Sequence, residues 1–387
     1  MRPWPILSRR SQVKDEDQEK QVQGDEPAAG VGRRFLRQWS LLALLAFFLG
    51  AGLAWWWVAS YAAAVPQRGS EADIIVYIPP DIGFAAIKKS LADQRVIDDD
   101  IRFDLLARWM RARDRMRAGE YCFAPGLTHK AIIRKLARGE VYYRPLTIPE
   151  GYNVFQIGDL LAESFGFDRQ DFLRQVQDQT FIKSLGLEVP SLEGYLFPDT
   201  YFVTRGQKLD AVVAMMVRRF HEVFADIGGR DKAAAFAAAR SISEHGIVIL
   251  ASIIEKETAL PEERPLIAAV FLNRLQQKMK LQADPTVIYG IADFNGNLTR
   301  QDLVTPSPYN TYTNEGLPAG PIANPGKASL AAVLHPAQND YLYFVAKNDG
   351  SHFFSSSLAE HNSAVLRFQK QRREATNESE SALGKGE

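Results

Sequence analysis

Cysteine is all but absent from this 387-residue chain. Cys122 stands alone, so an internal disulfide and a thiolate-based zinc site are both excluded. Histidine is sparse as well: His129, His221, His245, His335, His352 and His361 show no HExxH or similar ligand spacing, and the expectation is no metal and no cofactor. An excess of either charge is also missing. Lys+Arg and Asp+Glu both number 46, so nothing global recruits nucleic acid and a charged partner must be recognised locally. No GxSxG elbow and no cysteine–histidine protease signature occur.

Hydrophobic residues make up 46% of the sequence and aromatic residues 11%, enough for one large core or two modest ones, and two folded domains are expected. Between Trp39 and Pro66 no residue is charged. The run LLALLAFFLGAGLAWWWVASYAAAV exceeds the roughly 20 apolar residues that cross a bilayer as a helix, so residues 39–65 are expected to form a single transmembrane helix. Trp55, Trp56, Trp57 and Tyr61 suit its far interface, while Arg33, Arg34 and Arg37 before it keep the N-terminus cytoplasmic. Residues 1–38, with Asp15, Glu16, Asp17, Glu19 and Lys20 in a run and no apolar period, read as a disordered cytoplasmic segment. A cleavable signal peptide or a buried core helix are the alternatives, but the run is long for the first and a polar segment precedes it. The remainder then lies outside the cytoplasm, in a bacterium the periplasm or cell surface, where the abundant polymer is the wall.

Residues 73–145 read as a small α+β unit. IIVYIPP is a short β-branched strand, IGFAAIKKSLADQRVI an amphipathic helix, residues 100–113 a second helix, and Thr128 caps a third that carries Ile132, Ile133 and Leu136. The dense arginines from Arg108 to Arg117 read as a solvated face. From Leu146 the pattern is mixed α+β to about residue 373, followed by a flexible tail at 374–387. SLEGYLFPDTYFV is rich in aromatics for a loop, which fits sugar stacking or a hairpin packed into the core equally well. About sixty residues after Leu281 lose regular period, yet they place Tyr289, Tyr309 and Tyr312 among Asp284, Thr286, Asn310 and Asn324 around rigid prolines.

The stretch IVILASIIEKET, residues 247–258, is the chemical focus. Ile247, Leu250, Ile253 and Ile254 recur at helical spacing, and Glu257 falls within that apolar arc, whereas Glu255 projects roughly 200° away from it. A carboxyl group set against aliphatic side chains has its charged form disfavoured and can donate a proton near neutral pH. That is what a glycosidic acid catalyst needs, and the alternative is a glutamate that pairs with Lys256, Arg264 or another base and simply ends the helix.

ASIIEKET, NRL, LQADPTVIYG, TPSPYNTYTNEGLPAGPIANPG, HPAQNDYLYFVA and HFFSSSLAEHN, with LEGYLFPDTY before them, together resemble the YceG-like endolytic murein transglycosylase family over residues 73–373. The resemblance implies an enzyme that cuts within glycan strands of nascent peptidoglycan beside the cytoplasmic membrane and so limits their elongation, with peptidoglycan synthases as possible partners. It further implies a LysM-like subdomain at 73–145 and a catalytic domain at 146–373 with a lysozyme-like catalytic helix. The family's catalytic glutamate falls on Glu257, and Glu257-Thr258 resembles the Glu-Ser step of lysozyme-like transglycosylases. Glu193, Tyr195, Tyr289, Asn310 and Tyr312 are expected to stack on the glycan or hydrogen-bond to it. Glu193, Asp199 and Asp284 are available as a second carboxylate, which leaves hydrolysis open, and a non-catalytic wall-binding scaffold for synthases is the competing class. The polar segment 1–38 is longer than the family's usual start.

Overall fold

The computed structural model describes residues 29–67 and 71–368, with side chains from residue 37 onward. The acidic N-terminal run and the expected tail at 374–387 lie outside the described residues. Helix α1, Ala29–Ala63, starts ten residues before the expected first residue of the span. Residues 33–38, RRFLRQ, hold arginine, leucine and glutamine, which extend an already nucleated helix readily, while Gly30 and Gly32 lie in its first turn. Within α1, Arg37–Ala63 is a candidate membrane span by length and composition.

After α1 comes a small unit. Strand β1 (Ile74–Ile78) leads through helices α2 (Phe84–Asp93) and α3 (Ile101–Trp109) to β2 (Gly119–Phe123), with Val76 opposite Tyr121 in an antiparallel pair. Alternation of the β-branched residues buries Val76 and Ile78. Asp100 caps α3 by accepting the Arg102 N–H at 2.8 Å. Helix α4 (His129–Arg138) is capped by Thr128 as its sequence leads one to expect, and it ends at Gly139, whose φ of 67° is the left-handed value that glycine adopts without strain. The core of this unit also takes in the last turn of α1. Tyr61 and Ala62 are buried in it, and the Tyr61 ring stacks on His129 with centroids 3.8 Å apart. His129 Nδ1 lies 3.1 Å from the Tyr61 carbonyl and 3.0 Å from that of Ala64, whose oxygen also accepts the His129 N–H. The helix therefore passes into the small unit through a hydrogen-bonded joint.

The large unit begins with β3 (Arg144–Thr147), paired antiparallel with β4 (Thr200–Val203). Between them run α5 (Val154–Phe165), α6 (Arg169–Gln175) and α7 (Gln179–Ser184). The helical pattern over 167–185 divides into two helices because the Asp178 carboxylate accepts the N–H groups of Thr180 and Phe181 and restarts the chain. Then follow α8 (Leu209–Asp226), α9 (Gly229–Arg240), α10 (Glu244–Glu257) and α11 (Arg264–Gln276). The region of lost periodicity holds three short helices, α12 (Asp284–Tyr289), α13 (Arg300–Val304) and α14 (Lys327–Leu334), before the hairpin β5 (Tyr343–Ala346) and β6 (His352–Ser355). The closing helix is described as far as residue 368. One core unites α5, α8, α10, α11 and α14, and α10 lies inside it, buried continuously from Gly246 to Ile254. The fold is thus mixed α and β, and among the described residues the strands lie in three separate two-stranded ladders.

Candidate active site

Helix α10 starts where the Ser243 hydroxyl accepts the Gly246 N–H at 3.1 Å, and ends where Thr258 turns extended. The Thr258 hydroxyl accepts the Leu260 N–H and donates to the Glu263 carboxylate at 3.1 Å. Burial opposes the charge on Glu263, but two hydrogen bonds from His352, from its backbone N–H and from Nδ1, outweigh burial and hold the carboxyl below its usual range. The end of α10 is thereby tied to the β5–β6 hairpin.

Glu255 and Glu257 have contrasting surroundings. Glu255 accepts the Gly326 N–H at 2.9 Å and faces the Arg264 guanidinium at 3.4 Å. Glu257, half-buried at the helix terminus, receives no hydrogen bond from any side chain or N–H among the described residues. Burial, and secondarily the charge of Asp284, push its carboxyl up to about 8. The carbonyl end of the helix dipole works in the same direction. A group titrating there is protonated at neutral pH and can give up its proton to a basic oxygen.

Asp284 is the first residue of α12, and its carboxylate accepts the Tyr312 hydroxyl. Burial raises the Tyr312 phenol, the bonded Asp284 adds to the effect, and the Glu257 charge adds a smaller part. Tyr312 also lines an open hollow of about 570 Å³ with Lys280, Arg300, Leu303, Val304 and Thr313. The far end of α12 carries Tyr289, whose hydroxyl donates at 2.8 Å to Glu193. Glu193 is 1% exposed and also accepts from the Val154 N–H and from Asn324 Nδ2, both at 3.1 Å. Burial moves it up to about 7 despite these donors. Glu193 therefore ties the start of α5, the end of α12 and the loop before α14 to one carboxyl.

Among the residues expected to touch substrate, the structure groups Glu257 with Tyr312 and joins Tyr289 to Glu193 through α12. Tyr195 lies elsewhere, buried in the core against Phe220 with its hydroxyl 2.8 Å from His245 Nδ1, so its ring presents no face to a ligand. Asn310 is 1% exposed, and its side-chain N–H groups reach the carbonyls of Asp302, Leu303 and Thr305 while its oxygen accepts the Tyr312 N–H. It shapes the loop that presents Tyr312. Asp199 pairs with Arg219 beside β4, with no contact to Glu257.

Two residues not among those expected at the site matter to the arrangement. Asn324, fully buried, accepts the Leu196 N–H and donates to Tyr152 and Glu193, and its own backbone pairs with the 151–152 turn. Glu150 packs on Gly326 so closely that a Cβ there would lie on its carboxyl, and burial together with the Glu255 charge raises it. Glu150 was marked in the sequence only by its place in the IPEGYN turn, and Asn324 only as one polar residue among the tyrosines and prolines of the aperiodic stretch.

The YceG-like family matches residues 76–367, from β1 through both units. The chain belongs to this family. Among its relatives, a Bacillus subtilis (strain 168) protein named endolytic murein transglycosylase is 34% identical over 318 residues, covering 78% of this chain and 86% of that protein. A protein of the same name from Streptococcus pneumoniae serotype 2 (strain D39) is 26% identical over 331 residues, covering 77% of this chain and 59% of its own length. A crystal structure of a yceG-like protein from Listeria monocytogenes superposes with a TM-score of 0.52 at 34% identity, covering 76% of this chain and 99% of that one. Within this YceG-like chain Glu257, whose carboxyl is pushed up to about 8 by burial, ends a helix buried continuously from Gly246 to Ile254.

Proposed function

We propose that this chain is a membrane-anchored endolytic murein transglycosylase with Glu257 as its acid and base. The observation that carries the reading is a half-buried glutamate, without a cationic partner among the described residues, titrating near 8. The protonated carboxyl donates to the oxygen between N-acetylmuramic acid and N-acetylglucosamine as that bond lengthens towards an oxocarbenium-like state. The carboxylate so formed takes the proton of the muramyl 6-hydroxyl. That oxygen attacks the anomeric carbon, closing a 1,6-anhydro ring without consuming water. Asp284 keeps Glu257 protonated beforehand and then stabilises the positive charge that develops on the sugar. Tyr312 orients Asp284, and Tyr289, Glu193 and Asn324 position α12.

The relatives' names support peptidoglycan as the substrate. The βααβ order of the small unit supports a LysM-like glycan-holding role, and α1 supports a single-pass place in the cytoplasmic (inner) membrane with the N-terminus inside and the catalytic unit periplasmic. On this reading cleavage within nascent strands ends their elongation, in company with synthases. Asp284 beside Glu257 is the one observation that favours a second chemistry, hydrolysis by activated water.

The deciding experiment is mass spectrometry of uncross-linked glycan strands incubated with the detergent-solubilised chain, wild type beside Glu257→Gln. Internal fragments ending in 1,6-anhydro sugars, made by the wild type alone, are the expected result. Fragments heavier by one water would assign hydrolysis. Strands left intact by a folded wild type, or cut equally by the variant, would overturn the reading.

A further inference from the structure

Helix α3 has two apolar sides. Phe103, Leu106 and Ala107 are buried in the small unit, as one face of a helix should be. On another side, Ile101, Leu105 and Trp109 recur at every fourth residue and are 64%, 41% and 55% exposed. Single exposed apolar residues are ordinary, but three in one stripe on a nine-residue helix are a surface. The stripe is continuous with α1. Trp109 meets Trp55 edge to face with centroids 5.2 Å apart, and an apolar hollow of about 650 Å³ runs between the two helices, lined by Ala54, Trp55, Val58, Leu105 and Trp109 among others.

The level of that contact along α1 identifies what covers it. A bilayer core takes up about 20 helical residues, or roughly 30 Å, and counted from Trp39 these end near Val58. Trp55 lies inside that length. Trp109 and Leu105, packed at the level of Trp55 and Val58, stand at the depth of the outermost hydrocarbon rather than in the aqueous phase. Just beyond, the Arg102 guanidinium sits 5.3 Å from the Trp57 ring centroid and 4.6 Å from that of Tyr61 and pairs with Asp100, Lys130 lines the rim of the hollow, and Asp98, Asp99, Arg108, Arg111 and Asp114 are exposed nearby in the chain. Apolar rings at the boundary followed by charged residues of both signs form the pattern of a segment that lies in a membrane interface.

We propose that α3 is a second membrane contact: its Leu105–Trp109 end lies in the outer leaflet beside α1, with phospholipid acyl chains filling the hollow and Ile101 at the headgroup level beside the charged rim. This rests on the reading of α1 as a membrane span. The hydrogen-bonded joint at His129 then sets the small unit at one fixed attitude on the bilayer.

The test uses the full chain with Cys122→Ser, carrying one of three single cysteines, Leu45→Cys, Leu105→Cys or Val304→Cys, each labelled with a fluorophore. The labelled chains are reconstituted into phosphatidylethanolamine–phosphatidylglycerol vesicles, with nitroxide acyl chains as the lipid quencher and iodide as the aqueous one. The proposal expects Leu105→Cys, which lines the hollow, to behave like Leu45→Cys, quenched by lipid and shielded from iodide, and Val304→Cys to behave in the opposite way. An iodide-quenched Leu105→Cys beside a lipid-quenched Leu45→Cys overturns the α3 contact and leaves the anchor standing. A Leu45→Cys label untouched by lipid removes the anchor reading and this proposal with it. Shielding of Leu105→Cys from both quenchers assigns the stripe to a second copy of the chain and overturns the lipid assignment.

Discussion

Glu120 in the small unit and Glu257 in the large one are both carboxylates withdrawn from bulk water, and their surroundings differ in one respect. Glu120, 1% exposed, is held by the Arg144 guanidinium through paired hydrogen bonds of 2.9 and 2.7 Å, so the charge is matched and the two units are joined across it. Glu257 is less buried, yet no cation compensates it among the described residues, and the charge that acts on it is the like charge of Asp284. A matched buried carboxylate serves as a structural joint. An unmatched one holds a proton, and the fold tolerates it only because the proton stays on.

The sharpest way to break this comparison is at Glu257. Replacement by glutamine should lower strand cleavage by on the order of 10³-fold, read from fragment yield, since it removes the transferable proton. Its effect on stability should be of the opposite kind. The folded-state affinity, near 8, lies above the ordinary glutamate value, so the native state binds more protons than the unfolded chain between those limits. Wild-type stability from this group is therefore complete below about pH 4.5 and lost as pH rises to 8, and activity should fall above pH 8. In urea titrations the variant should gain on the wild type by roughly 2–4 kcal/mol across that window, partial exposure allowed for. Glu193 titrates in both proteins and cancels from the difference.

Glu193→Gln comes next in size. It sets an amide N–H₂ against donors from Val154, Tyr289 or Asn324, which should destabilise by about 2 kcal/mol. It should also lower kcat on the order of tenfold by letting α12 shift, measured by denaturation and strand cleavage in parallel. Glu120→Ala should destabilise by about 2 kcal/mol, because Arg144 keeps some solvent when its partner is removed, and should leave kcat for soluble strands unchanged. A fall in kcat as large as that of Glu193→Gln would dissolve the contrast between joint and proton store. The smallest effect is expected from Tyr195→Phe, which loses the bond to His245, about 1 kcal/mol in thermal unfolding, with KM for glycan unaltered.

What could be read from the sequence follows from the range of the interactions. Helix α10 was legible because helical period is local, and so were β1, the helices of the small unit and the Thr128 cap. The expectation that Glu255 projects away from the packed side was not met, since its side chain is 6% exposed between Arg264 and Gly326. The role of Glu193 was not, since its partners lie 39, 96 and 131 residues away and no local pattern encodes them. Tyr195 and Asn310 were misjudged for a related reason: an aromatic in a core and an aromatic in a sugar site have the same composition, and an asparagine that binds a ligand looks like one that binds its own loop. Of the two readings weighed for SLEGYLFPDTYFV, the packed core is the one that holds at Tyr195 and Phe197.

The His129 joint has a further consequence for how such an enzyme meets its substrate. A flexible stalk would let a tethered active site sample a hemisphere above the bilayer. If α1 crosses the membrane as proposed, clamping its last turn by the Tyr61 and Ala64 carbonyls removes that freedom and leaves rotation about the membrane normal and diffusion within its plane. The search for a strand then becomes two-dimensional, and altitude above the membrane, rather than length along the polymer, decides which bonds come within reach.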